Sequence, residues 1–361
     1  MGADVKKTNG LMVLGPTASG KTALGVQIAR ALNGEILSVD SRQVYRGLDI
    51  GSGKDLSEYT TGGRTVPYHL IDIAGLDQEF SVYDFQRAFF GALADVTARA
   101  ALPVAVGGTG LYLDAVLGGY AFADAPENPE LREELAALDD DALRARLLAL
   151  RPEQHNTTDL EDRERLVRAV EVAEAGTALP EDAAAPAFTP LILGVCPDRE
   201  ALRRRIARRL HERLHAGLIE EVEELHAAGH SWERLERLGL EYRYVSQFIQ
   251  GRILNKNDLF QKLNSAICQF ARRQETWFRR MERRGTVIHW LEQPDFLSAM
   301  RVLARHARAA RARPICAGGP CAGPGAWRGW SSPPPASPLS SPPSARGPSC
   351  HRPWPACCPA A

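Results

Sequence analysis

The chain has 361 residues, of which 44% are hydrophobic and 24% are charged, and its 44 basic and 44 acidic side chains balance. This length supports a packed core and about two domains, and the zero net charge indicates neither an acidic nor a basic partner. No apolar run reaches the roughly 18 residues that cross a membrane, and the N-terminal residues lack the apolar core of a signal peptide. We therefore expect a cytoplasmic protein without a membrane segment.

Residues 10–120 alternate short apolar runs with amphipathic stretches. The runs "LMVLG", "EILSVD", "YHLIDI" and "LPVAVGG" predict buried parallel strands. Helices are predicted between them, over "KTALGVQIARAL" and "SVYDFQRAFFGALADVTARA". Alternation of this kind predicts an α/β fold with a doubly wound parallel sheet, whose ligands bind at the carboxyl ends of the strands.

The second half of the chain divides into three predicted segments. Residues 121–188 are charged and helical and predict an insertion rather than sheet material. Residues 189–295 predict a return to the core through the strand "PLILGVCPD", then basic helices and a last strand, "TVIHWLE". One of these helices is expected to run through "RRRIARRLHERLHAGLIEEVEELHAAG" and to end at Gly229. Residues 313–361 are rich in Pro, Gly and Ser without any acidic residue, and are expected to be disordered.

The segment "GPTASGKT" follows the first predicted strand and opens the first predicted helix. It matches the P-loop pattern, in which backbone amides and a helix N-terminus surround a phosphate. A lysine in this pattern supplies a positive charge, and the Thr22 hydroxyl can bind Mg²⁺. The residues predicted to bind phosphate are Gly15, Thr17, Ala18, Ser19, Gly20, Lys21 and Thr22. The fold class is therefore predicted to be P-loop NTPase-like, with the helical insertion and C-terminal helices added to it.

Polar residues at the ends of the other strands are candidates for chemistry. Asp40 ends the second strand, where a carboxylate can bind Mg²⁺ or accept a proton. The alternative is that Asp40 only caps a helix that begins at Ser41. Asp72 is a second strand-end acid and a candidate for indirect support of Mg²⁺. The turn "GGTGLY" permits a close backbone approach and directs the Thr109 hydroxyl toward the same cleft.

The order and spacing of several segments resemble the tRNA dimethylallyltransferases. These segments are "GPTASGKT", "DSRQVYRGLDIGSGK", "HLIDI", "FSVYDF", "PVAVGGTGLYLDAV", "RLVRAVEV", "GLEYR" and "RRQETWFRR". The resemblance extends over about residues 10–292. Glu241 stands where this family commonly has glycine.

The resemblance implies a reaction that no single motif specifies. It implies that the P-loop binds the diphosphate of dimethylallyl diphosphate and that the prenyl group passes to the exocyclic amine of the adenosine 3′ of the anticodon in tRNA. Asp40 then accepts the amine proton, with Thr109 and Lys21 as the other catalytic residues and Mg²⁺ as the cofactor. The implied partners are the tRNA anticodon stem-loop and dimethylallyl diphosphate, and we expect a monomer.

The same resemblance implies a tRNA-binding surface. Its predicted residues are Asp40, Ser41, Arg42, Gln43, Arg132, Arg165, Arg168, Tyr242, Arg243, Arg272, Arg273, Gln274 and Trp277. Arg205 and Arg209 also match family positions. Arginines interleaved with aromatic rings suit single-stranded RNA, because bases stack on the rings. The alternative for Trp277 and Phe278 is a place in the protein core.

The residues by themselves are also compatible with two other functions. A P-loop kinase or ATPase would use the same loop, although it would not need the basic helical half. An isopentenyltransferase that acts on free AMP would need no RNA.

Overall fold

The computed structural model describes residues 8–61, 63–118, 125, 128–152, 162–175 and 187–311. Its strands, in chain order, are β1 (Gly10–Leu14), β2 (Gly34–Val39), β3 (Thr60–Thr61), β4 (Arg64–Thr65), β5 (Tyr68–His69), β6 (Leu102–Gly107), β7 (Pro190–Val195) and β8 (Ile288–Leu291). The helices are α1 (Lys21–Ala31), α2 (Val82–Ala98), α3 (Gly110–Leu117), α4 (Pro129–Ala136), α5 (Asp140–Leu150), α6 (Arg163–Glu174), α7 (Arg199–His215), α8 (Leu218–Ala227), α9 (Trp232–Arg237), α10 (Leu240–Ile249), α11 (Lys256–Arg283) and α12 (Phe296–Arg311).

Six strands form one parallel sheet in the order β5-β2-β6-β1-β7-β8. β6 lies between β1 and β2, and its Gly107 pairs with both Leu14 and Val39. The carboxyl ends of these three strands are therefore level. The loops that follow them begin side by side, as the sequence predicts for a ligand site.

Helices cover both faces of the sheet. Ala105 of β6 belongs to a buried cluster with Phe85 and Phe89 of α2. Val106, the next residue, meets α1 at Gly25, where an added Cβ would lie 2.5 Å from the valine. Successive strand residues point to opposite faces, so α1 and α2 pack on opposite sides. The predicted doubly wound α/β fold is confirmed.

The third predicted strand is shorter than "YHLIDI" suggests. β5 ends at His69 because Leu70 and Asp72 adopt positive φ values of 66° and 57°. The backbone N–H of Asp72 donates instead to the carbonyl oxygen of Gln43 at 3.0 Å. Asp72 therefore lies in a loop bonded to residue 43 and not at the end of an extended strand.

The long helix predicted through residue 229 is two helices. Gly217 has a φ of 106° and separates α7 from α8, a conformation that glycine adopts without strain. Gly229 does follow the end of α8 with a φ of 106°, as predicted. α12 was not predicted from the sequence at all.

The described part of the insertion is helical, as the sequence predicts. α4, α5 and α6 share a small hydrophobic cluster of their own, built on Leu135, Leu143, Leu147, Leu166 and Val170. The predicted insertion, residues 121–188, lies partly outside the described residues. The predicted disorder of residues 313–361 lies wholly outside them. Among the residues that are described, no helix is long and apolar enough to cross a membrane.

Candidate active site

The predicted phosphate-binding loop lies between β1 and α1, level with the ends of β2 and β6. Ala18 and Gly20 adopt left-handed backbone conformations, with φ values of 60° and 89°. Gly15 has no room for a side chain, since an added Cβ would lie 2.5 Å from the carbonyl oxygen of Val195. These turns lead the loop directly into the N-terminus of α1, where backbone amides favour an anion.

Lys21 is the first residue of α1, and its Nζ donates to the carbonyl oxygen of Pro16 at 3.3 Å. Burial lowers the pKa of Lys21 to about 8, while attraction to Asp40 opposes this shift and repulsion by Arg209 adds to it. The lysine is therefore mostly cationic at neutral pH although it has lost much of its water. A cation in this state interacts strongly with an anionic ligand.

Asp40 follows β2, and its Oδ1 accepts the backbone N–H groups of Arg42 at 2.9 Å and Gln43 at 3.4 Å. The capping alternative is thus correct in part, although the capped segment is a turn and not a helix. Both bonds use Oδ1, so Oδ2 is the oxygen that can accept a proton from a substrate. A further hydrogen bond comes from the loop after β6, where Oγ1 of Thr109 accepts the backbone N–H of Ser41 at 3.1 Å. The loops after β2 and β6 are therefore bonded to each other beside Lys21.

Gln274 of α11 joins the phosphate-binding loop to the loop after β6. Its Oε1 accepts the backbone N–H of Thr17 at 2.8 Å, and its Nε2 donates to the carbonyl oxygen of Gly108 at 2.8 Å. The side chain is buried, with 7% of its surface exposed. The family resemblance implies a tRNA contact for Gln274; in the structure, both ends of its amide bind the protein itself.

Three arginines of α7 face the same region. Arg205 donates to the carbonyl oxygen of Ser19 at 3.0 Å, and Arg209 donates to that of Gly53 at 3.3 Å. Arg213 pairs with Glu241 at 3.3 Å. The last two arginines and Glu241 line a narrow cavity together with Thr17 and Ala18 of the phosphate-binding loop, and the apolar side chains of Ile206, Leu210 and Ile267 complete its wall.

Glu241 therefore belongs to the wall of this cavity. Burial raises its pKa, and the neighbouring Arg213 opposes that shift. The site thus combines four cationic side chains, from Lys21 and α7, with the carboxylates of Asp40, Glu241 and Asp55, the last of which pairs with Arg209 at 3.0 Å. This arrangement suits a multiply charged anion beside a carboxylate that accepts a proton.

Comparison with known proteins identifies the family. Residues 43–281 match the model of the family described as IPP transferase, and residues 9–69 match that described as isopentenyl transferase. The chain belongs to the IPP transferase family. It is 61% identical over 285 residues to tRNA dimethylallyltransferase 2 of Syntrophotalea carbinolica, which covers 79% of this chain and 94% of that protein. Identity to tRNA dimethylallyltransferase 2 of Trichlorobacter lovleyi is 57% over 285 residues, covering 79% and 92%.

Solved structures agree with this membership. The tRNA isopentenylpyrophosphate transferase of Bacillus halodurans is 30% identical, with a TM-score of 0.58, and the match covers 84% of this chain and 96% of that one. A eukaryotic dimethylallyltransferase acting on tRNA is 22% identical with a TM-score of 0.67, over 86% and 81% of the two chains. The latter match supports the shared fold only.

Several residues that the sequence assigned to tRNA make contacts inside this IPP transferase. Tyr242 is 1% exposed, and its hydroxyl donates to Oε1 of Glu221 at 2.8 Å. Arg132 forms a two-pronged pair with Glu171 at 2.8 and 3.0 Å, and Arg168 bonds the same carboxylate at 3.1 Å. The ring and hydroxyl of Tyr242 are both enclosed by the protein, and its direct contact with tRNA stays a prediction. Arg132 holds α4 to α6 through the buried Glu171, whereas Arg168 bonds Glu171 within α6 and donates to the carbonyl oxygen of Ala125.

Other predicted tRNA residues are accessible. Arg165, Arg243, Arg272 and Arg273 are exposed. Ser41, Arg42 and Gln43 lie in the turn that Asp40 caps, although the Gln43 side chain accepts from Ser38 and donates to the Gly53 carbonyl oxygen. Contact of these residues with tRNA stays a prediction.

The aromatic pair of α11 favours the core alternative. Phe278 is buried, with 1% of its surface exposed. Trp277 packs against Gly110 so closely that an added Cβ there would lie 2.4 Å from the indole. Arg280 stacks over the Trp277 ring at 5.7 Å. Phe278 is therefore a core residue, whereas Trp277 is half-buried and its contact with tRNA stays a prediction.

The predicted metal site has few protein ligands. Within the described residues, no three His, Cys, Asp or Glu side chains are grouped closely enough to bind a metal ion. Asp72 is paired with the buried Nζ of Lys54, and its expected support of Mg²⁺ stays a prediction. Mg²⁺ commonly keeps its waters and binds substrate phosphates with only one or two protein groups. The hydroxyl of Thr22, at the start of α1, fits that mode of binding.

Arg213, Glu221 and Lys54 were not predicted as site residues from the sequence. For Arg213 there was a signal, because it follows Arg205 and Arg209 at four-residue spacing and so shares their face of one helix. Glu221 lies among other acidic residues of a charged helix. Nothing in its local sequence sets it apart from its neighbours.

Proposed function

We propose that this chain transfers the dimethylallyl group of dimethylallyl diphosphate to the exocyclic amine of the adenosine 3′ of the anticodon in tRNA. Family membership favours this reaction over a kinase or ATPase. The observation that carries the proposal is the placement of Asp40, which follows β2, beside Lys21, which follows the loop after β1; β6 lies between these two strands and all three end at one level. One group can accept a proton where the other holds an anion.

The diphosphate is expected to lie on the phosphate-binding loop. Lys21, Arg205, Arg209 and Arg213 surround this loop or its cavity and stabilise the charge that develops on the leaving oxygen. Bound through Thr22 and diphosphate oxygens, Mg²⁺ would neutralise further charge on that group. The apolar wall of the cavity excludes water that would otherwise react with an allylic cation.

The acceptor amine is a weak nucleophile, because its lone pair is delocalised into the adenine ring. As the nitrogen bonds to the allylic carbon, the carbon–oxygen bond to diphosphate breaks and the diphosphate leaves with the electron pair. The amine proton passes to Oδ2 of Asp40. A positioned base of this kind contributes about 10²–10⁴-fold to the rate.

The adenosine must leave its stack to reach Asp40, because the carboxylate lies in the loop region between strands β2 and β6. The exposed arginines Arg165, Arg243, Arg272 and Arg273 are proposed to bind the flanking RNA backbone. The expected monomeric state and cytoplasmic location stay predictions.

The test uses Asp40→Asn, because an asparagine retains Oδ1 and therefore the bonds to residues 42 and 43. Labelled dimethylallyl diphosphate, Mg²⁺ and unmodified tRNA are incubated with the protein, and the labelled nucleotide is located after digestion. We expect label on the adenosine 3′ of the anticodon with the wild-type protein. The variant should transfer about 10²–10⁴-fold more slowly while binding tRNA and melting as the wild type does.

Three results would contradict the proposal. Brisk ATP hydrolysis without prenyl transfer would favour the kinase or ATPase. Equal transfer to free AMP and to an anticodon stem-loop would favour the AMP-dependent isopentenyltransferase. Undiminished turnover by Asp40→Asn would show that another group takes the proton.

A further inference from the structure

The loop formed by residues 49–54 packs directly on two of the site's arginines. Arg213 donates to the carbonyl oxygen of Gly51 at 3.4 Å, and Arg209 donates to that of Gly53 at 3.3 Å. Gly53 has a φ of 69°, and a Cβ added there would lie 1.7 Å from Nη2 of Arg213 and 2.4 Å from Nη2 of Arg209. This backbone therefore helps to position both guanidinium groups, together with Asp55, which pairs with Arg209 at 3.0 Å, and Glu241, which pairs with Arg213 at 3.3 Å.

Glu221 of α8 holds the other side of the same loop. Its Oε2 accepts the backbone N–H groups of Asp49 at 3.2 Å and Ile50 at 2.6 Å. Its Oε1 accepts the N–H of Gly51 at 3.1 Å and the hydroxyl of Tyr242 at 2.8 Å. Three successive amides and one buried hydroxyl thus converge on a single carboxylate, whose ionised form accepts all four bonds.

These bonds connect Glu221 to the site without placing it there. The cavity beside the phosphate-binding loop is lined by Arg209 and Arg213, and Glu221 is not among its lining residues. The connection runs through one peptide segment, in which the Gly51 N–H binds Glu221 and the Gly51 carbonyl oxygen binds Arg213. A shift of the loop would therefore move the arginines.

We propose that Glu221 is a positioning residue for diphosphate recognition: it holds the 49–54 loop so that Arg209 and Arg213 face the phosphate-binding loop. Tyr242 supports Glu221 in this role, which explains why a tyrosine is buried in the "GLEYR" segment. The inference rests on the proposed function in one respect, because it takes the ligand of this cavity to be a diphosphate.

The test measures affinity for inorganic diphosphate in the presence of Mg²⁺, by titration calorimetry. Glu221→Gln keeps the size of the side chain but replaces one acceptor oxygen by an NH₂ group, which cannot accept the loop amides. We expect diphosphate to bind about tenfold more weakly or worse, and tRNA affinity to stay within about twofold of the wild type. Tyr242→Phe removes one of the four donors and should weaken diphosphate binding by a smaller factor. This variant replaces Glu221→Gln in the test if Glu221→Gln fails to fold.

Glu224→Gln is the matched control, since Glu224 is an exposed glutamate of the same helix. It should bind diphosphate as the wild type does. The second readout is a double-mutant cycle with Arg213→Ala. If Glu221 acts through this arginine, Glu221→Gln should lose much less diphosphate affinity in the Arg213→Ala background than in the wild type. The loss of affinity in the double variant should then be smaller than the product of the two single-variant losses.

Either of two results would overturn the inference. One is a Glu221→Gln variant that melts at a lower temperature yet binds diphosphate with wild-type affinity. The other is a Glu221→Gln variant that loses tRNA and diphosphate affinity by the same factor, and whose loss of diphosphate affinity is as large in the Arg213→Ala background as in the wild type. Failure of the proposed function looks different, because the wild-type protein itself would then bind no diphosphate or transfer no prenyl group.

Discussion

The Gln274→Met variant tests the contact that joins α11 to two loops of the site. Methionine has a similar length but can neither accept the Thr17 N–H nor donate to the Gly108 carbonyl oxygen. Each lost bond contributes about 1 kcal/mol net, and a buried partner left unpaired costs about 1–3 kcal/mol. We therefore expect the free energy of unfolding to fall by about 2–4 kcal/mol.

This loss should be visible by two measurements. For a folded region of this size, each kcal/mol lowers the melting temperature by about 2–4 °C, so a decrease of roughly 4–16 °C is expected. The loops that carry Thr17 and Thr109 would also lose their common support. A displacement of about 1 Å at a reacting group can cost about 10²-fold in rate, so kcat for prenyl transfer should fall steeply.

Gln269→Met provides the control, because it makes the same chemical change on an exposed residue of the same helix. It should melt and turn over like the wild type. If Gln274→Met behaved identically to this control, the bridging role would be refuted. If it weakened tRNA binding without lowering the melting temperature or kcat, Gln274 would be the RNA contact that the sequence alone suggested.

Three further changes probe charge. Burial lowers the pKa of Lys21 to about 8, so the positive charge of this lysine is lost as the pH rises through that value. Diphosphate affinity measured by calorimetry should therefore fall between pH 7 and 9. Lys21→Arg should remove the part of this fall that is caused by deprotonation of the lysine. Arg272→Ala should weaken tRNA binding and reduce the salt slope by about 1, so an unchanged slope would exclude a phosphate contact. Glu171→Gln should release Arg132 and Arg168 and speed amide exchange in α4 and α6; exchange at the wild-type rate would show that these pairs do not hold the insertion together.

Local patterns sufficed for the sheet and for the place of the candidate site. The segment Gly15–Thr22 and the acid Asp40 follow apolar runs that form strands, and parallel strands end at one edge. Both features depend on residues that are neighbours in the chain. For this reason the sequence alone predicted that the segment Gly15–Thr22 and Asp40, the proposed proton acceptor, would lie at the same edge of the sheet.

The tertiary structure decided which polar side chains serve the protein and which can serve a ligand. Gln274 and Thr17 are 257 positions apart, and only packing of α11 against the two loops makes them partners. Tyr242 is enclosed because α8 places Glu221 over its hydroxyl. The sequence determines the local backbone and the periodicity of each element. Pairing between distant side chains depends on how those elements pack, which short-range patterns do not encode.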